Sequence, residues 1–418
     1  MKKSILVITC IMVMFMSCQT KSQGDEKNSP AKEEVTKVEE VKVVEYKEHF
    51  TSLPPTTTTL SDPKATDNAK ALFEYLNSVY GKKVLTGMME NAWDNSYNQL
   101  ETVKKDTGKY PALMGFDFMD YTGIHWNAQN LQTQRAIAFW NGQNYAGKKI
   151  SDNHGIVTFN WHWRDPLVEK GKTGSFRPEE AAFRIPYDTD NKKWKKDSEA
   201  YKEMMKDLDV IANELLILQE AGVPVIWRPM HEGAGNVGLY SGSGVAWFWW
   251  GAGNTTKFDG EKYTVSNMEK VCAECYIALW KLMYEYFTQT KGIHNCIWLW
   301  NGQNDNFFPG SQYVDMIGVD IYARNGDYSS QKTSFMKNHK LDPSKMVTLS
   351  ECGVIPSLEK MEQDDVMWSY FMVWNDGKKY TDKDNFWNGN VINPLEHRLE
   401  VYNSPYAITL DEVFIKTK

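Results

Sequence analysis

Between residues 83 and 374 the chain carries eight short apolar runs, at 83–88, 112–118, 155–163, 224–232, 296–301, 316–322, 346–351 and 368–374. They are rich in β-branched and aromatic residues and near-continuously apolar. Strands that alternate would leave one face in water; these read as parallel strands covered on both faces. Amphipathic stretches lie among them. One, at 65–79, precedes the first run, and another, at 201–219, sets Met204, Leu208, Ile211, Leu215 and Leu218 at helical spacing. A third spans 268–287. Eight such units with no composition break from Asp62 to Lys418 predict one α/β domain, a (β/α)8 TIM barrel. The competing architecture is an open doubly wound sheet. It wants a Gly-rich phosphate loop after the first strand, and Thr86-Gly87-Met88-Met89-Glu90 is not one.

In a barrel of this kind the active site gathers at the carboxyl ends of the strands. Here those ends hold acids, His and Trp where turn residues would be ordinary. The third run ends Trp161-His162-Trp163-Arg164, and the fourth Trp227-Arg228-Pro229-Met230-His231-Glu232. The fifth gives Trp298-Leu299-Trp300-Asn301, the sixth Asp320-Ile321-Tyr322, the seventh Ser350-Glu351 and the eighth Trp374-Asn375.

Glu232 and Glu351 end runs three places apart round the ring, so both can face one cleft. Two carboxylates across a Trp-lined cleft are what glycoside hydrolysis needs, one to protonate the leaving oxygen and one to attack the anomeric carbon. The general acid needs a raised pKa, which an apolar pocket and a second carboxylate supply. The nucleophile must stay ionised and wants donors such as Tyr322, His231 or Arg228. The plainer alternatives are a Glu that closes a barrel end against an Arg, structural histidines at 162 and 231, and an Arg228 that only braces the rim.

Trp227-Arg228-Pro229-Met230-His231-Glu232, Trp247-Phe248-Trp249-Trp250-Gly251, Gly318-Val319-Asp320-Ile321-Tyr322 and Leu349-Ser350-Glu351 together resemble glycoside hydrolase family 26, mostly β-mannanases. The resemblance covers most of the barrel. It implies a retaining double displacement on β-1,4-mannosidic bonds of mannan, galactomannan or glucomannan, without a cofactor. It makes Glu232 the acid/base and Glu351 the nucleophile. His231 and Tyr322 match positions that hydrogen-bond near the nucleophile, and His162, Trp247 and Trp374 match positions lining the subsites beside the scissile bond. Arg228 joins this substrate-binding set. One departure is the Gly- and Ser-rich stretch 233–246 between the His-Glu pair and the Trp cluster, expected as an insertion on the leaving-group side. A second elaboration, 165–198, follows the third run.

The amino terminus reads as an address. Lys2 and Lys3 precede an apolar run from Ile5 to Met16, too short to span a bilayer, which ends Ser17-Cys18. This resembles a bacterial lipobox and implies a signal peptide at 1–17 and lipid on Cys18. Residues 18–61 then form a charged, Pro- and Thr-bearing tether, and 62–418 the catalytic barrel. The expected location is the outer membrane, with the face left open. A net charge of −7 speaks against a nucleic-acid binder. Monomer is the default.

Three other readings compete. An exo-acting mannobiohydrolase, or a hydrolase of another β-linked glycan, would use the same carboxylates. A catalytically silent glycan-binding lipoprotein would use the aromatics, since Trp, Tyr and Phe make up 13% of the chain, but it has no need of both acids. A metal-dependent barrel enzyme would want HxH or HExxH spacing, and neither occurs. Cys272-Ala-Glu-Cys275 sits in a helical pattern with no second pair and reads as packing.

Overall fold

A computed structural model of the chain describes residues 56–91, 98–124, 131–235, 246–254, 265–375, 385–387 and 391–417. All eight predicted runs are strands: β1 Val84–Met89, β2 Leu113–Asp117, β3 Ile156–Trp161, β4 Val225–Pro229, β5 Cys296–Trp300, β6 Met316–Ile321, β7 Met346–Cys352 and β8 Tyr370–Val373. Each pairs in parallel with the next, and β8 pairs back onto β1, so the sheet closes. A two-residue strand, β9 (Ala407–Ile408), lies parallel to the start of β1. Nearly every strand residue is buried, which is why the runs do not alternate. The expected (β/α)8 TIM barrel is the observed fold.

The helices are α1 Asp67–Val79, α2 Gln99–Thr107, α3 Gln132–Trp140, α4 Glu199–Glu220, α5 Val265–Glu285, α6 Lys332–Leu341, α7 Leu358–Gln363 and α8 Leu395–Asn403. Ser198 caps α4 by accepting from the Tyr201 backbone, and the predicted stripe of Met204, Leu208, Ile211, Leu215 and Leu218 is its buried face. Cys272 and Cys275 are buried free thiols on α5, as packing required.

One unit departs from the strand–helix rule. β5 reaches β6 through 3-10 turns at Asp305–Phe307 and Ser311–Tyr313, with no α-helix between. α1, which precedes the barrel in sequence, sits against the feet of β4, β5 and β7. Thr66 bonds to the His294 carbonyl before β5, Asn68 to the Gly222 carbonyl before β4, and Tyr80 accepts from the Val347 amide of β7. Ala69, Leu72, Phe73 and Leu76 form its buried face. The chain is tied to the barrel on the tether side of residue 62: Thr57 bonds to the Ser344 carbonyl, and the Ser61 amide bonds to Asp315 at 2.5 Å. Cys18 and the rest of 1–55 lie outside the described residues.

Candidate active site

β7 carries a bulge where the chemistry is needed. Val319 of β6 pairs with Leu349, but Asp320 pairs with Glu351, so Ser350 is one residue too many. The same slip occurs against β8, where Phe371 and Val373 face Leu349 and Cys352. Successive side chains of a regular strand point to opposite faces. The extra residue lets two neighbours point the same way. Ser350 Oγ bonds to Asp320 at 2.7 Å, while Glu351 accepts from Tyr322 Oη at 2.8 Å and from Arg228 Nη2.

Arg228, from β4, is wholly buried. Its guanidinium donates to Asn160 Oδ1 of β3 at 3.0 Å, to Asp320 at 2.9 Å and to Glu351, spreading one fixed fork over three strands. Asn301, just past β5, completes the network by donating to Asp320 at 3.0 Å and to Ser350 Oγ at 2.7 Å.

Glu232 sits in the turn after β4. Both Met230 (φ 48°) and Glu232 (φ 49°) hold left-handed backbone, which side chains other than glycine adopt at a cost. The end of β5 holds them there: the Glu232 amide bonds to the Asn301 carbonyl at 2.7 Å and to Asn301 Oδ1 at 3.0 Å, and Ala234 bonds to the Gly302 carbonyl. One carboxylate oxygen each of Glu232, Asp320 and Glu351 lies within 4.8 Å of the others. Burial first, then the charges of Asp320 and Glu351, hold the Glu232 carboxyl well above the usual carboxylate range; Arg228 and Gln303 oppose this. Asp320 is pushed up by burial and by Glu351 in turn, with Arg228 opposing.

The aromatic segment after 245 closes this turn from one side. A Cβ on Gly251 would meet the Gly233 carbonyl at 2.0 Å, so only glycine allows the backbones to touch. Trp250 Nε1 donates to the His231 carbonyl at 2.8 Å. Trp247, 38% exposed, bonds through its amide to the Gly235 carbonyl and lays its indole over Gly235, where a Cβ would stand 2.6 Å from the ring. Trp247 therefore flanks Glu232 despite the intervening stretch, of which 236–245 lie outside the described residues.

His162 follows β3, and Asp117 at the end of β2 grips it twice, accepting from its amide at 3.0 Å and meeting Nδ1 at 2.5 Å. The bond at Nδ1 fixes the orientation of the ring. His231 stands edge-on to it, with centroids 4.5 Å apart, and Phe248 and Trp374 lie 5.5 and 5.7 Å from His162. Burial, then His162 and Arg228, holds His231 well below the ordinary histidine range, so it is neutral at pH 7. Tyr322 is 46% exposed while its hydroxyl donates to Glu351.

Every site residue expected on the barrel thus comes to one strand-end cluster, but two take other places within it. Arg228 has no exposed surface, so it holds Glu351 and Asp320 from beneath instead of lining a subsite. His231 makes no hydrogen bond to Glu351; its Nδ1 is buried without a partner, and the ring packs among His162, Phe248 and Trp250. The sequence reading missed Asp320, Asn301, Asn160 and Asp117 as functional. The first two stood in the strand-end inventory, and the signal was their place there. Among the described residues, Glu232, Asp320 and Glu351 are close enough to share a metal ion. Arg228 already gives two of them their positive charge.

Residues 61–412 match the model of glycosyl hydrolase family 26. The chain is 35% identical over 324 residues to mannan endo-1,4-beta-mannosidase A of Piromyces sp, an alignment covering 76% of this chain and 45% of that protein. It thus spans about half the length of that curated relative. Among solved structures, a GH26-CBM35 β-(1,4)-mannanase of Podospora anserina is 31% identical with a TM-score of 0.67, over 86% of this chain and 69% of that one. A β-mannanase from a symbiotic protist of the termite Reticulitermes speratus, solved with a gluco-manno-oligosaccharide, is 27% identical with a TM-score of 0.68, over 86% and 99%.

Proposed function

This chain belongs to glycosyl hydrolase family 26, and from that premise we propose that it is a retaining endo-β-1,4-mannanase. The observation that carries the reading is the carboxylate pair: close together, in unequal environments, in a fold whose matched relatives are named as mannanases. Retaining glycosidases set their carboxyls about 5–5.5 Å apart and inverting ones about 6.5–9.5 Å, to leave room for water. Oxygens of Glu232 and Glu351 within 4.8 Å favour the first.

The chemistry follows from the environments. Glu232, its carboxyl held well above the usual carboxylate range, gives its proton to the glycosidic oxygen as that bond breaks. Glu351, oriented by Arg228 and Tyr322, attacks the anomeric carbon and forms a glycosyl ester. Esterification removes the charge of Glu351, one of the causes holding Glu232 up. The Glu232 carboxylate then takes a proton from water as the water oxygen attacks the anomeric carbon, which displaces Glu351 as a carboxylate and releases the sugar as its original anomer. In this reading His162, Trp247 and Trp374 meet the sugar rings on either side.

The amino terminus supports a second part of the proposal. Cleavage before Cys18 and lipidation there would tether the barrel to the bacterial outer membrane through residues 18–61. A Cys18→Ser protein recovered in the soluble fraction, against a membrane-bound wild type, supports this; equal fractionation refutes it.

The deciding experiment is a reducing-sugar and product-length time course on galactomannan, glucomannan and unbranched mannan, with the first anomer followed by NMR. A broad early ladder of β-anomers, lost in Glu232→Gln and Glu351→Ala, is the expected result. A single disaccharide product would make the enzyme exo-acting. No cleavage by folded protein would leave only the fold.

A further inference from the structure

The elaboration after β3 carries a motif that the catalytic cleft does not use. Lys192-Lys193-Trp194-Lys195-Lys196 puts four lysines around one tryptophan in a chain whose net charge is −7. Lys193 and Trp194 pair in an antiparallel ribbon with Tyr187 and Asp188. The ribbon packs by the start of α4 and the outer face of α5. Between them opens a cavity of about 350 Å³, lined by Tyr187, Trp194, Tyr201, Lys192, Lys196, Lys281 and Glu285. None of these residues belongs to the acid cluster.

The cavity has the parts of a ligand site. Its volume falls within the usual range, about 300–1,000 Å³. Trp194 is half-buried and braced by two rings, Tyr187 at 5.2 Å and Tyr201 at 5.8 Å, each inclined by about 60°. A fixed indole face is a surface for the apolar C–H face of a pyranose. Three ammonium groups stand against two acids, Glu285 in the lining and Glu274 beside it. Lys192 reaches Glu274 at 3.3 Å, and Lys281 lies over the Tyr313 ring at 5.2 Å. Lys196 pairs with no acid among the described residues and is exposed. The local charge is set up for an anion.

We propose that this cavity is a second saccharide site, separate from the catalytic cleft, which takes an acidic sugar unit: a pyranose on Trp194 with its carboxylate or phosphate held by Lys192, Lys196 and Lys281. Such a site holds the enzyme to an acid-bearing glycan whichever bond the cleft cuts. The shared chemistry has two sources, a uronate-bearing polysaccharide or a phosphorylated amino-sugar headgroup at a membrane surface.

Calorimetric titration of the full chain with trigalacturonate, glucosamine 1-phosphate and mannotriose tests it. Expected is binding of one or both acidic probes that weakens between about 0.05 M and about 0.5 M salt, as screening requires. Trp194→Ala and the double change Lys196→Gln with Lys281→Gln should each weaken it by about tenfold, the scale of a central aromatic or paired charge. Turnover of mannan should be unchanged in both variants, which also reports that they fold. Trigalacturonate binding alone assigns the polysaccharide source, and glucosamine 1-phosphate alone the headgroup. No binding of either acidic probe, or binding that both variants retain, overturns the proposal. Binding of the acidic probes by a chain that cleaves no mannan sinks the catalytic reading and leaves this one standing.

Discussion

Ser350 and Glu351 are consecutive residues of β7, yet both side chains enter the same acid cluster, Ser350 through Asp320 and Glu351 through Arg228. The bulge makes this possible, because β6 and β8 both count one residue fewer at this point. Deleting Ser350 would restore a regular strand in which Glu351 follows Leu349 directly and still faces Asp320, without the Oγ that bonds to Asp320 and Asn301. The expected result is a lowered turnover that stays above that of Glu351→Ala. Ser350→Ala keeps the bulge and removes two hydrogen bonds, so its loss should fall on kcat with KM little changed. Equal KM and kcat effects in the point variant would argue that Ser350 contacts sugar.

The alkaline limb of activity should belong to Glu232. Its carboxyl is raised in the folded protein, and the acid form does the work, so activity is present below that pKa and lost above it. After burial, Asp320 is the largest cause of the rise. Asp320→Asn therefore moves the alkaline limb of kcat/KM to lower pH, besides lowering its height. A limb that stays in place while the rate falls would show that Asp320 acts only by holding Arg228.

The barrel was legible because burial on both faces leaves a signature that eight separate runs repeat. The missing helix after β5 was not, since α1 comes from another part of the chain to bond at the feet of β4, β5 and β7, and local pattern carries no trace of that. At the site, Glu232, Glu351, His162 and Tyr322 were readable as chemistry-bearing residues where a strand should turn. The bulge was not: Leu349-Ser350-Glu351 contains nothing that marks an extra residue until β6 and β8 fix the register. Arg228 was read as an acid's partner, but its depth depends on how the ring closes, and that depth turns its three bonds inward to Asn160, Asp320 and Glu351.

Asp315, fully buried before β6, accepts from the Ser61 amide at 2.5 Å and the Trp298 amide at 2.8 Å. It is the clasp between the approach segment and the barrel foot. Asp315→Ala should cost about 2–4 kcal/mol at acid pH, leaving two backbone donors unpaired. Burial raises its carboxyl to about 6 from 3.8. A raised pKa contributes stability that is full below about pH 4 and lost as pH rises through about 6. Denaturant titrations should thus find the penalty of Asp315→Ala smaller at pH 8 than at pH 4, by about 3 kcal/mol at most. A penalty that grows with pH would mean the two amides outweigh burial.

Arg228 makes a final distinction, between a site that needs a cation from solution and one that carries its own. The oxygens of Glu232, Asp320 and Glu351 are near enough to hold a divalent ion. Arg228 already donates to Asp320 and Glu351 and is closed off from solvent. Chelation with EDTA should leave turnover unchanged, and a loss restored by one metal would overturn this assignment. Arg228→Lys keeps the charge but not the planar fork, and one ammonium cannot reproduce the three directed bonds to Asn160, Asp320 and Glu351. Because Arg228 is buried beneath Glu351 and does not line the cleft, kcat should fall by about 10²-fold or more while KM moves little, the pattern of an interaction realised in the transition state. A rise in KM with kcat intact would instead put the guanidinium on the sugar.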